Sequence, residues 1–315
     1  MNFLKKQWFF AAIGVVVVLA FLFPALGTFV REYSIVKIGI FLAFLVTGMT
    51  LDTSEVLEQL KDIKVLLAAA VSALILFPVV AYFCANLVFA DKPDFIIGVL
   101  LIGAAPVTVA SGTVMTGMAR GNIPLSLFIC VICNGLAILT MPPILNLFVS
   151  LTEPVQLPIG KMMTSLVMTV LTPTLLGQVL RPEVKKVLAV HKKKISIFNQ
   201  TIVLLIIFNA VAGSTSKLVE AGGSIVSVFI FMLVLHNLYL LFNYLLARGI
   251  RLNRPSVAAF TIHTSQKTLT VSYLVWAEYL AENFPMALIP GIAYHLTQSI
   301  CDTILAQKMG RLQEG

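Results

Sequence analysis

The sequence predicts an all-α polytopic membrane protein, and three observations carry that prediction. Only 11% of its 315 residues are charged, whereas a soluble domain carries roughly 25% because water must solvate its surface. The mean hydropathy is +0.97. Apolar runs recur along the whole chain, each near the ~20 residues a spanning helix needs. Lipid must therefore cover most of the surface. Disorder, a disulfide-framed secreted domain and a soluble enzyme are all excluded.

The first run, Trp8 to Leu26, follows Lys5 and Lys6. It is long for a signal segment and lacks a small-x-small cleavage site, so it reads as a retained first helix. Further runs cover roughly 33–50, 64–90, 93–119, 123–151 and 158–180. After a basic stretch come 196–216, 223–247, 254–280 and 285–308, giving ten transmembrane helices. Cys84, Cys130, Cys133 and Cys301 all fall inside these runs and read as buried free thiols, the C-x-x-C included.

The net charge of +8 acquires a meaning once the loops alternate sides. Sixteen of the 22 basic residues fall on the side of the amino terminus; Arg31, Lys37, Lys92, Lys161 and Lys217 fall on the other. The positive-inside rule makes both termini cytoplasmic. The basic excess thus reports topology, with membrane lipid as the partner and no nucleic acid. An integral protein of a plasma or inner membrane is expected. One basic residue, Lys267, stays within a span.

Two segments interrupt the apolar pattern. Gly103 to Thr113, in the fourth helix, places Pro106, glycines and hydroxyls mid-membrane. Thr261-Ile262-His263-Thr264-Ser265-Gln266-Lys267-Thr268, in the ninth, is a polar run. Pro106 and Thr264 lie almost half the chain apart, which fits two inverted five-helix repeats. Matched interruptions in two halves are the best sequence pointer to a secondary transporter's binding site. A weaker echo pairs Pro24-Ala25-Leu26-Gly27 with Pro173-Thr174-Leu175-Leu176-Gly177.

Broken helices expose their ends as partial charges, positive at amino ends and negative at carbonyl ends. Lys267 would act there as an internal cation, a proton carrier or an anchor for an anion; a structural Lys held by carbonyls and Asp302 is the plainer reading. Asp302 itself reads as that partner or as a solvated residue towards the cytoplasm, off the broken segments. His236 reads as a core histidine. His295 and Gln298 share a helix face at the depth of Lys267.

These residues resemble the bile acid:sodium symporter superfamily, in its SBF-like branch. The resemblance rests on Met115-Thr116, Ala119-Arg120-Gly121-Asn122, Pro173 to Arg181, Ser265 to Thr270 and Tyr294-His295-Leu296-Thr297-Gln298. It implies panel helices over 1–62 and 157–221, core helices over 63–156 and 222–315, and broken helices 4 and 9 crossing in the core. Ser111, Gly112, Thr113, Gln266, Lys267 and Thr268 would line the crossing beside Thr264 and Ser265, with Asn134, His263, His295 and Gln298 around it. The sodium-coupled members bind sodium behind this crossing. Here Gly112 and Thr113 stand for a Ser-Asn pair, Ile262 for a Glu and Ala73 for a Gln; Gln266 matches a ligand. Ser111, Thr113 and Gln266 remain as weak sodium ligands, with the Lys267 ammonium taking part of the ion's role.

The expected function is alternating-access secondary transport of a small organic anion, coupled to sodium, to protons or to neither. The alternatives are a cation/proton antiporter, which needs a carboxylate at the crossing, and a non-transporting regulatory membrane protein. No G-x-S-x-G, H-E-x-x-H or paired intramembrane Asp points to an enzyme, and no cofactor is expected.

Overall fold

A computed structural model describes residues 8–51 and 63–312. Lys5, Lys6 and Lys61 of the charge argument lie outside the described residues. Among the described residues every regular element is helical: α1 Trp8–Leu22, α2 Pro24–Glu32, α3 Ile35–Thr50 and α4 Ile63–Val88. There follow α5 Pro93–Ala104, α6 Ala110–Met118, α7 Ile123–Thr152, α8 Ile159–Val190, α9 Lys192–Ala212, α10 Thr215–Ala221 and α11 Ser224–Gly249. The chain ends with α12 Arg254–Ser265, α13 Leu269–Val275 and α14 Ile289–Leu312.

By length and apolarity, α4, α7, α8, α9 and α11 can each cross a membrane. Large apolar side chains such as Leu67, Leu139, Val179, Leu238 and Ile304 are exposed, as an integral membrane protein requires of its lipid-facing surface.

Proline chemistry accounts for the departures from straight helices. The expected single helix over 8–26 bends by 97° between α1 and α2, because Pro24 has no N–H to continue the ladder and Phe23 takes a non-helical φ of −129°. Within α4, Ser72–Leu76 form a π turn in which the Phe77 N–H bonds Ser72 O. The next residue, Pro78, offers no N–H. The Ala73 carbonyl is therefore left without a helical donor. A second π turn, Val167–Leu171, precedes Pro173 in the same way. The basic stretch after residue 180 is not a loop: helix runs through Val190 and restarts at Lys192.

Small residues let two helix pairs approach closely. Gly27 in α2 lies against Ala212 of α9, and Gly177 of α8 lies against Gly48 and the Leu45 carbonyl of α3. A Cβ at Gly27, Gly48 or Gly177 would collide with the facing chain. The remaining long helices gather around α5 and α12, whose residues Phe95–Ala104 and Ser256–Ser265 are all buried. Both of these central helices stop short, and their ends build the site.

Candidate functional site

Between α5 and α6 the chain leaves the helix at Ala105 and re-enters it at Ala110; between α12 and α13 it is non-helical from Gln266 to Thr268. The two breaks touch directly, the Thr268 N–H donating to Pro106 O at 2.9 Å. Irregular backbone away from water must find its partners inside the protein. Each of the four carbonyls from Ala105 to Thr108 does so. Lys267 Nζ donates to Ala105 O at 3.0 Å, and Asn134 Nδ2 to Val107 O at 3.1 Å. His263 Nε2 lies 2.7 Å from Thr108 O, and Thr268 serves Pro106.

Four of the sequence candidates thus converge on one row of carbonyls. The Lys267 ammonium also donates to Ala73 O, the carbonyl freed by the π turn of α4. It stands 5.2 Å from the Phe77 ring centroid, within cation–π range. The side chain is wholly buried. It holds the carbonyl end of α5, where a positive charge opposes the helix dipole.

The second break is held from α14. Gln298 Oε1 accepts from the Lys267 N–H at 2.8 Å while its Nε2 donates to Lys267 O at 2.9 Å. The Tyr294 hydroxyl donates to Ser265 O at 2.8 Å, and Ser265 Oγ donates to Thr261 O while receiving from Asn243.

Gln266 links the breaks to a carboxylate. Its Oε1 accepts from Ser111 Oγ at 2.9 Å and from the Thr108 hydroxyl. Its Nε2 donates to Asp302 Oδ2 at 2.7 Å. The other carboxylate oxygen lies 2.8 Å from His236 Nε2. One sequence expectation is corrected here. Asp302 is neither solvated nor the partner of Lys267; it is fully buried and joined to the crossing through Gln266. His236 is a member of this network, with its Nδ1 lacking a hydrogen-bond partner among the described residues.

Gly112 supplies space. A Cβ there would fall 2.7 Å from the His263 ring, whose Nδ1 meets Ser126 Oγ. Thr108 Oγ1 accepts from the Gly112 N–H at 3.3 Å and so serves one of the free amides in the first turn of α6. Three candidates stand apart from the network. Thr113 turns its hydroxyl back to Val109 O at 3.4 Å. The Thr264 hydroxyl is buried without a partner among the described residues. His295 packs edge-on to Phe9, and its ring reaches Gln298 at 3.3 Å.

Sodium's oxygens can be tested on this geometry. Ser111, Thr108 and Gln266 spend their groups on one another, and the carbonyl row is already filled by nitrogen donors. As arranged, Ser111 bonds Gln266 and Thr113 bonds Val109 O. The two charges at the crossing are Lys267 and Asp302, of opposite sign and both buried.

Comparison with known proteins gives the arrangement its context. Residues 7–311 match the profile of the SBF-like CPA transporter family. The chain belongs to that family. Within the matched region lie both breaks, the Lys267 ammonium and the Asp302 carboxylate. A probable sodium/metabolite cotransporter, BASS4, from Oryza sativa subsp. indica is 30% identical over 306 residues, covering 92% of this chain and 72% of the relative. The sodium/bile acid cotransporter 7-B of Xenopus laevis is 25% identical, covering 96% and 91%. The sodium-dependent transporter YocS of Bacillus subtilis is 27% identical, covering 95% and 90%. The SBF-like CPA assignment thus extends over the whole bundle, making this chain an integral membrane member of a transporter family.

Ser126, Thr108, His236 and Asp302 join the network beyond the sequence candidates. Their signal is a polar side chain inside an apolar helix. The helix period alone does not say which neighbour such a side chain faces.

Proposed function

We propose that the protein is a secondary active transporter of a small organic anion, working by alternating access and not as an enzyme. The observation that carries this reading is the filling of the carbonyl row by Lys267, Asn134, His263 and Thr268. With the cation-attracting ends occupied by the protein's own donors, the amino ends of the half-helices remain to favour negative charge. Lys267 supplies a fixed positive charge where a bound cation would otherwise serve.

The proposed architecture is ten spanning helices in two inverted repeats of five. Two matched breaks support it, as does the shared role of Gly27 and Gly177, each the close-contact residue of a proline-interrupted helix. The panel comprises 1–62 and 157–221, and the core 63–156 and 222–315; close pairing of α8 with α3 and of α9 with α1 and α2 supports that division. Both termini are read as cytoplasmic. In support of that reading, Arg31, Lys37 and Lys92, three of the five basic residues of the minority, contact Ala277, Glu278 and Ser224.

The relatives are named for sodium coupling, bile acids and metabolites, and sodium is the cargo to test first. The expected result in proteoliposomes is saturable uptake from a panel of organic anions, lost in Lys267→Ala and equal in sodium and potassium. Uptake driven by a sodium gradient would restore sodium coupling. Failure of every anion to be taken up, or to stabilise the purified protein, would defeat the organic-anion reading.

A second reading has its own support. Asp302 supplies the crossing with the intramembrane carboxylate that a cation/proton antiporter needs, paired with an imidazole that has a spare nitrogen. A pH gradient then replaces the ion gradient as the driving force.

A further inference from the structure

A groove of about 740 Å³ opens between α11, α12 and α14, and none of the four residues that fill the carbonyl row lines it. Its walls are apolar, and Leu241 and Ile304 are exposed along it at 53% and 62%. Three cations converge on one end: Arg248 from the last turn of α11, Arg254 from the first residue of α12 and Lys308 from α14. All three are exposed, and none has an acidic partner or hydrogen bond among the described residues. Thr261 also lines the groove; it is 99% buried, and its hydroxyl has no hydrogen-bond partner among the described residues.

An apolar trough ending in clustered cations has the polarity of an anionic phospholipid, whose acyl chains run from a phosphodiester. Basic pockets between membrane helices recognise such headgroups by charge, and arginine adds paired hydrogen bonds to phosphate oxygens. The volume lies within the ~300–1,000 Å³ of ordinary ligand pockets, enough for a headgroup and the adjoining acyl segments. A soluble anion would leave the exposed leucine and isoleucine walls without a role. We infer that this groove binds an anionic phospholipid, its phosphate between Arg248, Arg254 and Lys308 and its chains along Leu241 and Ile304. Lipid seated there would join the end of α11 to α14, the helix that clamps Lys267 through Gln298.

The test uses the full-length protein purified in mild detergent, with phosphatidylglycerol, phosphatidylcholine and free glycerol phosphate as separate probes. Native mass spectrometry reads retained lipid, and thermal unfolding reads stabilisation. Phosphatidylglycerol is expected to be retained and to raise the melting temperature, and phosphatidylcholine is not. Each basic residue near an anionic bilayer surface contributes roughly a fivefold factor. The triple variant Arg248→Gln/Arg254→Gln/Lys308→Gln should therefore lose a preference on the order of 100-fold. These side chains are exposed, so the fold should survive; Ile304→Trp, which fills the trough, gives an independent loss of retention. Equal retention of both lipids, or a preference unchanged in the triple variant, overturns the proposal. Equal stabilisation by glycerol phosphate would make this a soluble-anion site, and a lipid-free dimer would assign the groove to a second copy of the chain; either result also overturns it.

Discussion

The ammonium of Lys267 donates to the carbonyl of Ala73, a residue 194 positions earlier in the chain. That carbonyl has no donor in its own helix, because Phe77 bonds Ser72 and Pro78 carries no N–H. A proline in one helix and a lysine in another thus answer each other across the core. Replacing Lys267 by Ala strands the Ala73 and Ala105 carbonyls. At about 1–3 kcal/mol for each buried unsatisfied group, a loss of about 2–6 kcal/mol is expected in the thermal unfolding of the purified protein. Lys267→Gln keeps N–H donors on a shorter stem and should fall between. A Lys267→Ala protein as stable as the parent would remove the ammonium from its central place.

Gln298 offers a separable test of the second break. Gln298→Ala removes both partners of the Lys267 backbone, at a site where no helix ladder can replace them. A cost of about 2–4 kcal/mol is expected. Gln298→Glu retains the acceptor for the Lys267 N–H and loses the donor to its carbonyl. Its melting temperature should lie midway between wild type and Gln298→Ala.

Gly112→Ala examines the close approach of α6 to α12. The added methyl would lie 2.7 to 2.8 Å from the His263 ring atoms, and both ring nitrogens are engaged, so the ring cannot rotate away without losing a bond. Overpacking of this kind costs about 1–3 kcal/mol. The cost should shrink in a His263→Ala background, as a double-mutant cycle would reveal. Simple additivity would contradict the contact.

Asp302 separates stability from coupling. Asp302→Ala leaves the His236 and Gln266 nitrogens without their acceptor and should destabilise the protein by about 2–5 kcal/mol. Asp302→Asn keeps one acceptor for His236 but sets its NH₂ against the Gln266 nitrogen, because the Gln266 oxygen is held by Ser111 and Thr108. Its melting temperature should fall between those of wild type and Asp302→Ala. If protons drive transport through this pair, uptake by Asp302→Asn loses its response to a pH gradient. A retained response would eliminate Asp302 as the proton carrier.

Much of the fold is legible in residue order because membrane insertion is a local matter. Apolar run length marks a span and basic residues mark its ends. Proline and polar side chains in mid-run mark a break, so the segments around Pro106 and Gln266 stand out from residue types alone. The 97° bend at Pro24 does not, because its flanks are equally apolar and hydropathy does not register direction.

Residue chemistry by itself established that this chain lives in lipid, that two of its spans are interrupted and that Lys267 lies buried between them. Tertiary structure alone decided the partners: Ala73 and Ala105 for Lys267, His236 and Gln266 for Asp302. The cost of burying a polar group can be read at its own position, since it depends on what that group is. The bond that offsets the cost depends on which helices pack together, here across 36 to 194 residues of chain.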